Sequence, residues 1–133
     1  FTMRAAYDDF DQLVRLYPNS IYAIDAAQRM IHLRNNMAEY EIHVADYYMR
    51  REAYLAAANR GEYVIENYQR TPAVPDALAI MARAYRIMGV DDLADDAIRV
   101  LRLNYPDNPE LALLDDPRGY DKAQKDSRWW KFW

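Results

Sequence analysis

Residues 20–51 read SIYAIDAAQRMIHLRNNMAEYEIHVADYYMRR. Ala23, Ala26, Met30, Leu33, Met37, Tyr40, Val44 and Tyr47 follow one another in steps of three and four. That spacing is the apolar stripe of a helix. A second set, Asp25, Arg29, His32, Asn36, Glu39, His43, Asp46 and Arg50, is wholly polar. Within it Asp25–Arg29, Glu39–His43 and Asp46–Arg50 stand four apart, the spacing at which side chains meet on a helix surface. Neither stripe breaks at Asn35-Asn36, the weak helix formers in the middle. The pattern predicts one continuous helix from Ser20 to about Arg51, roughly 45 Å long at about 1.5 Å per residue. Met30, Leu33, Met37, Tyr40 and Val44 are expected to be buried, and His32, Glu39 and His43 exposed. Such a helix cannot bury its stripe alone, so the rest of the chain should supply flanking helices.

The remaining pattern does so. Ala6, Phe10, Leu13, Val14 and Tyr17 share a face of a helix over Ala5 to Tyr17, which Pro18-Asn19-Ser20 stops. A turn near Arg51-Glu52 leads to a helix from Ala53 to Tyr68, with Ala53, Ala57, Gly61, Val64 and Tyr68 inward. Thr71 is expected to cap the next helix, with Pro72 at its first position. That helix reaches Met88 and stops at Gly89. Asp91 and Asp92 open another, where negative charge is favoured, and Pro106 ends it after Tyr105.

These helices repeat. Laying Ile42–Tyr68 over Ala79–Tyr105 shifts the chain by 37 residues and matches Ala45 with Ala82, Tyr48 with Tyr85, Ala57 with Ala94, Val64 with Leu101 and Tyr68 with Tyr105. Laying Ala6–Tyr17 over Ala57–Tyr68 shifts it by 51 and matches Ala6 with Ala57, Leu13 with Val64 and Tyr17 with Tyr68. The two shifts differ by 14, nearly four helical turns, so the insertion lengthens the helix and keeps its buried face in phase. Alanines at crossings, a closing tyrosine and a proline, at a period near 34 residues, make the tetratricopeptide pattern. The fold expected is all-α, tetratricopeptide-like hairpins over residues 1–108, with a tail over 109–133.

Composition narrows the function. The chain has 133 residues, 52% of them hydrophobic, a net charge of −4, twelve tyrosines and no cysteine. The acidic balance argues against a general nucleic-acid binder. There is no disulfide or thiol site, and no apolar run approaches the ~20 residues of a membrane span. The start at Phe1-Thr2-Met3, without an initiator methionine, is expected to belong to a fragment of a longer protein.

Catalytic and metal chemistry find little footing. His32 and His43 share a face but lie eleven residues apart, roughly 16 Å along a helix, too far for one metal with ligands at about 2 Å. Asp91, Asp92, Asp95 and Asp96 lack the spaced loop and central glycine of a calcium site, and helix-start charge accounts for them. No cofactor is expected. Arg60 stands out because Ala56, Ala57, Tyr63 and Val64 occupy the positions three and four residues away. Its partner must be water, another helix or another protein, and Arg34 shares the property. On the residues alone an intramolecular or solvated Arg60 is favoured. Gly61 sits where its repeat mates carry Phe10 and Ile98, so either a backbone packs close there or the site is under-filled. The end Arg128-Trp129-Trp130-Lys131-Phe132-Trp133 reads equally as an interfacial or partner anchor and as a segment folded onto the last repeat.

Tyr17-Pro18-Asn19-Ser20, Gln28-Arg29-Met30-Ile31, Leu33-Arg34-Asn35, Ala38-Glu39-Tyr40-Glu41, Val44-Ala45-Asp46-Tyr47-Tyr48 and Ala58-Asn59-Arg60 together resemble the BamD (ComL) family. These are the tetratricopeptide lipoproteins of the outer-membrane β-barrel assembly machinery. The resemblance covers about Ala5 to Tyr105, the C-terminal half of that family. It implies a non-enzymatic scaffold at the periplasmic face of the outer membrane, held there by a lipid anchor that this stretch lacks. It implies docking to the periplasmic domains of the barrel subunit, BamA, and to accessory lipoproteins such as BamC and BamE. It also moves the expectation for Arg60: the matching Asn-Arg lies at the barrel-subunit contact, which makes Asn59, Arg60 and Tyr63 the candidate partner-binding residues. A second class stays open, another envelope adaptor of the Tol–Pal coordinator type, which shares the Tyr-Pro-x-Ser spacing. The fused long helix and Ala-Asn-Arg favour the first, and an enzyme is a distant third.

Overall fold

A computed structural model describes residues 2–116, and the aromatic end at Trp129–Trp133 lies outside the described residues. The described chain runs through α1 (Met3–Leu16), α2 (Ile21–Arg50), α3 (Tyr54–Asn67), α4 (Ala73–Ile87), α5 (Asp91–Asn104) and α6 (Glu110–Asp115). Each helix packs on its successor, and α4 also packs on α2 and α6. This is the stacked-hairpin arrangement of tetratricopeptide-like repeats. No helix among the described residues is long and apolar enough to cross a membrane.

The long helix is unbroken through Asn35 and Asn36, as its two stripes require. Ser20 begins it, its hydroxyl accepting from the Tyr22 amide at 3.2 Å. The Asp25–Arg29 pair closes at 2.9 Å, and Asn36 Nδ2 donates to His32 Nε2 at 3.2 Å. Asp46 and Arg50 form no ion pair among those described. Asp46 instead lies close enough to Asp76 of α4 to disfavour its charge.

The buried face of α2 departs from the expected stripe. Ala23, Ala26 and Met37 are buried and Met30, Leu33 and Val44 half-buried. His32, Glu39 and His43 are exposed, as expected. Tyr40 and Tyr47, however, are 59% and 49% exposed. Beyond Met37 the buried positions become Ala38, Ile42 and Ala45, one residue further round the helix. The cause is a change of neighbour. The helix packs on α1 and also on α3 and α4. In its second half Met37, Ala38, Ile42 and Ala45 enter one cluster with Ala57, Val64, Tyr68, Ala73, Ala77 and Ile80.

Helix α4 is buried on two sides. Ala73, Ala77 and Ile80 face that first cluster. Leu78, Ala79 and Ala82 face a second, with Ala97, Ile98 and Leu101 of α5 and Leu111 and Leu114 of α6. A helix so enclosed has little polar surface, which suits its run of alanines. At the 37-residue shift the small matched positions are buried alike: Ala45, Ala82, Ala57, Ala94, Val64 and Leu101 are all fully buried. At the 51-residue shift the match is looser, with Tyr17 exposed where Tyr68 is buried.

Turn chemistry recurs at the matched helix ends. Tyr17, Tyr68 and Tyr105 each end a helix at φ near −130° and donate their amide to the carbonyl four residues back. Gly89 takes the left-handed conformation after α4 at φ 78°, and Val90 N–H reaches back to Tyr85 O at 2.9 Å. The same closure follows α2, with Ala53 N–H on Tyr48 O at 2.9 Å. There the left-handed position is occupied by Glu52, at φ 61°. Thr71 does not cap α4. It is buried, and its hydroxyl donates to Tyr68 O at 2.7 Å, closing α3 instead, while Pro72 holds the N-cap position.

Helix α6 falls in the stretch that the sequence reading assigned to the tail. Thr71-Pro72-Ala73 and Asn108-Pro109-Glu110 stand 37 residues apart, so α6 opens as α4 does. Asn108 Oδ1 accepts from the Glu110 amide at 2.9 Å.

Gly61 resolves to close approach rather than a void. A Cβ built there would sit 2.6 Å from Met81 Cγ and 3.0 Å from the Ala77 carbonyl oxygen of α4. Gly61→Val should therefore overpack the α3–α4 crossing and cost about 2–3 kcal/mol in a denaturant titration. Glu52→Gly should do the opposite. It relieves a left-handed strain of about 1–2 kcal/mol per residue, less what glycine's flexibility costs. The expected gain is about 1 kcal/mol, a melting temperature higher by roughly 3–6 °C.

Candidate partner-docking site

Helix α3 buries Ala57, Ala58, Gly61 and Val64 on the faces turned to its neighbours. Its exposed side carries Leu55, Asn59, Glu62, Tyr63, Glu66 and Asn67, with Arg60 at the edge. Leu55 and Asn59 are exposed, Tyr63 is 41% exposed and Arg60 is half-buried. The three candidate residues therefore occur together on one surface. Tyrosine and arginine are among the residue types that carry most binding energy in protein interfaces.

Arg60 has an internal partner. Its Nη1 donates to Glu41 Oε2 of α2 at 3.1 Å, and the two side chains are 43% and 14% exposed respectively. The pair thus joins a shielded carboxylate to an arginine side chain that stays partly exposed. Glu41 was not singled out in the sequence. It lies nineteen residues away on another helix, and no local spacing points to it.

Tyr63 also packs on a buried tyrosine of the following turn, Tyr68. The rings of Tyr63 and Tyr68 pack edge to face at 5.9 Å. The Tyr68 hydroxyl has its pKa raised, first by burial, then by Tyr63 and the Glu41 carboxylate, with Arg4 opposing. Glu41, Tyr63, Tyr68 and Arg4 therefore share one electrostatic neighbourhood at the junction of α1, α2 and α3.

Arg34, which looked like the equal of Arg60 in sequence, is spent differently. Its Nη1 donates to Gln69 O and its Nη2 to Asn67 O at 3.2 Å. Both carbonyls lie at the C-terminal end of α3, where unsatisfied oxygens and the helix dipole favour a cation. The contact ties the middle of α2 to the turn before α4.

The acidic group at the start of α5 is held by arginines. Arg86 reaches Asp91 at 3.1 Å and Asp95 at 2.8 Å, and Arg99 reaches Asp96 at 2.7 Å. A second polar locus joins α2, α4 and α6. The Asp76 carboxyl is held above the usual carboxylate range, first by burial, then by Asp46 and Glu110, against a lowering pull from Arg83. Arg83 Nε and Glu110 Oε2 are buried there without a hydrogen-bond partner.

Comparison with known proteins places this geometry in context. A family model described as "Outer membrane lipoprotein" (YfiO) matches residues 1–101. The outer membrane protein assembly factor BamD of Neisseria meningitidis serogroup A is 43% identical over 130 residues, 98% of this chain and 46% of its own length. BamD of Xylella fastidiosa is 46% identical over 106 residues, 80% of this chain and 36% of its own. BamD of Vibrio cholerae is 41% identical over 102 residues, 77% of this chain and 42% of its own. The chain thus spans less than half the length of these relatives.

The two arginines should separate in a thermal or denaturant melt. Arg34→Ala removes charge-assisted bonds to two helix-end carbonyls and should cost about 1.5–3 kcal/mol. Arg60→Ala removes one half-exposed pair and should cost about 1 kcal/mol or less. Equal costs would mean that Arg60 is as much a structural clamp as Arg34.

Proposed function

Because the chain belongs to the YfiO family of outer membrane lipoproteins and most of it is similar to BamD assembly factors, we propose that it is a non-enzymatic scaffold of outer-membrane protein assembly. It acts at the periplasmic face of the outer membrane. Its partner is the periplasmic part of the barrel subunit BamA, and its neighbours there are accessory lipoproteins such as BamC and BamE. The observation that carries this reading is the outward strip of α3. Asn59, Arg60 and Tyr63 lie together on it, and Arg60 keeps 43% of its side chain exposed despite an internal partner.

The physical logic is that of a small interface anchor. Tyr63 offers a large ring with few rotatable bonds, so little entropy is lost when a partner covers it. Arg60 offers a planar donor fork matched to a carboxylate. Burying that fork against an acid costs desolvation but leaves the acid strongly dependent on it, since losing either member strands the other. Repeated helical hairpins supply a rigid platform on which such a strip keeps its shape.

The test is a titration of the chain with the purified periplasmic domains of BamA. Arg60→Ala should weaken binding by about 2–5 kcal/mol, mostly through faster dissociation. Arg60→Lys should recover only part, because an ammonium lacks the fork. Affinity unchanged by Arg60→Ala would remove the strip from the interface.

A further inference from the structure

Among the described residues Arg60 uses one of its three nitrogens. Nη1 donates to Glu41 Oε2, and neither Nε nor Nη2 makes a hydrogen bond among the described residues. In a guanidinium, Nε and Nη2 form the side-on edge, with two parallel N–H vectors. That edge takes a carboxylate in a bidentate grip. Arg34 gives the contrast, with both Nη1 and Nη2 engaged by carbonyls at the end of α3.

Glu41 is suited to be the fixed member of the pair. Its side chain is 14% exposed, against 43% for Arg60. It follows Tyr40 and precedes Ile42, which is buried in the α2–α3–α4 cluster, so its backbone is held by packed helix. A free arginine on a helix surface samples many rotamers and loses them when a partner binds. An arginine tethered at Nη1 has lost them already.

Resting on the docking reading above, we propose that Glu41 is a positioning residue: it holds Arg60 by Nη1 so that the Nε–Nη2 edge stands outward, ready for a carboxylate of the partner. The internal pair and the partner contact use different edges of one guanidinium, so docking does not require the internal bond to break. Glu41 then contributes to recognition without touching the partner.

The experiment is a double-mutant cycle on the full chain, titrated with the BamA periplasmic domains, with Glu41→Ala, Glu41→Gln and Arg60→Ala. With Arg60 present, Glu41→Ala should weaken binding about three- to tenfold, the cost of ordering one long side chain. Glu41→Gln, which keeps the shape and an acceptor oxygen, should lose less. In the Arg60→Ala background neither change at Glu41 should weaken binding further. Relaxation of the Arg60 Nε–Hε group by NMR, without any partner, should report a restricted side chain in the parent chain and a mobile one in Glu41→Ala. Unchanged or tighter binding by Glu41→Ala would overturn the proposal and make Glu41 a competitor for Arg60. Equal losses with and without Arg60 would also overturn it, by making Glu41 a general structural residue. Binding indifferent to Arg60→Ala would instead sink the docking reading on which the proposal rests. The relaxation measurement tells the cases apart, because it reads the tether without the partner.

Discussion

The constraint on which the fold depends is the distance between α3 and α4. Gly61 lets the backbone of α4 come within 3.0 Å of where a Cβ would stand. Ala57, Ala58 and Ala77, all fully buried, add little bulk to the neighbouring turns. At such a crossing the helices meet nearly backbone to backbone, and dispersion between many atom pairs replaces interdigitated long side chains. Larger groups then fill the space on either side, Val64 and Ile80 toward α2, Leu101 toward α6. The strip bearing Arg60 has its orientation because the opposite side of α3 is pinned in this way.

Much of this was legible in the sequence, and the reasons are physical. Small residues at fixed intervals mark helix crossings, and a closing tyrosine marks a helix end. Tyr17, Tyr68 and Tyr105 indeed end helices with nearly the same backbone angles. Helix α6 was not read from the sequence, because six residues give periodicity too little length to register. The inner face of α2 was only half legible. A hydrophobic stripe states that some face is apolar, not which neighbours it meets. Tyr40 and Tyr47 continue the stripe, yet the partners of the second half lie to one side, and alanines at 38 and 45 are buried in their place.

The candidate site divides in the same manner. Arg60 could be singled out because no acid stands three or four residues from it on its own helix, and helical spacing is readable. Glu41 could not, since a contact between helices has no signature in the spacing of either one. Arg34 and Arg60 looked alike for that reason. The fold gives one the carbonyls at the end of α3 and the other a single carboxylate oxygen. The assignment of Thr71 failed more locally: its hydroxyl could close the helix behind or open the one ahead, and burial against Tyr68 O decided for the former.

The thirty residues of α2 carry a mechanical consequence. In a stack of separate hairpins each turn is a place where adjoining units can rock. Here one uninterrupted backbone ladder, roughly 45 Å long, spans from α1 to the α3–α4 pair, and Arg34 rivets its middle to the far end of α3. A push on α1 therefore has no hinge within that span in which to dissipate. The orientation of the strip around Arg60 is thereby referred, through one continuous helix, to the α1 end of the stack.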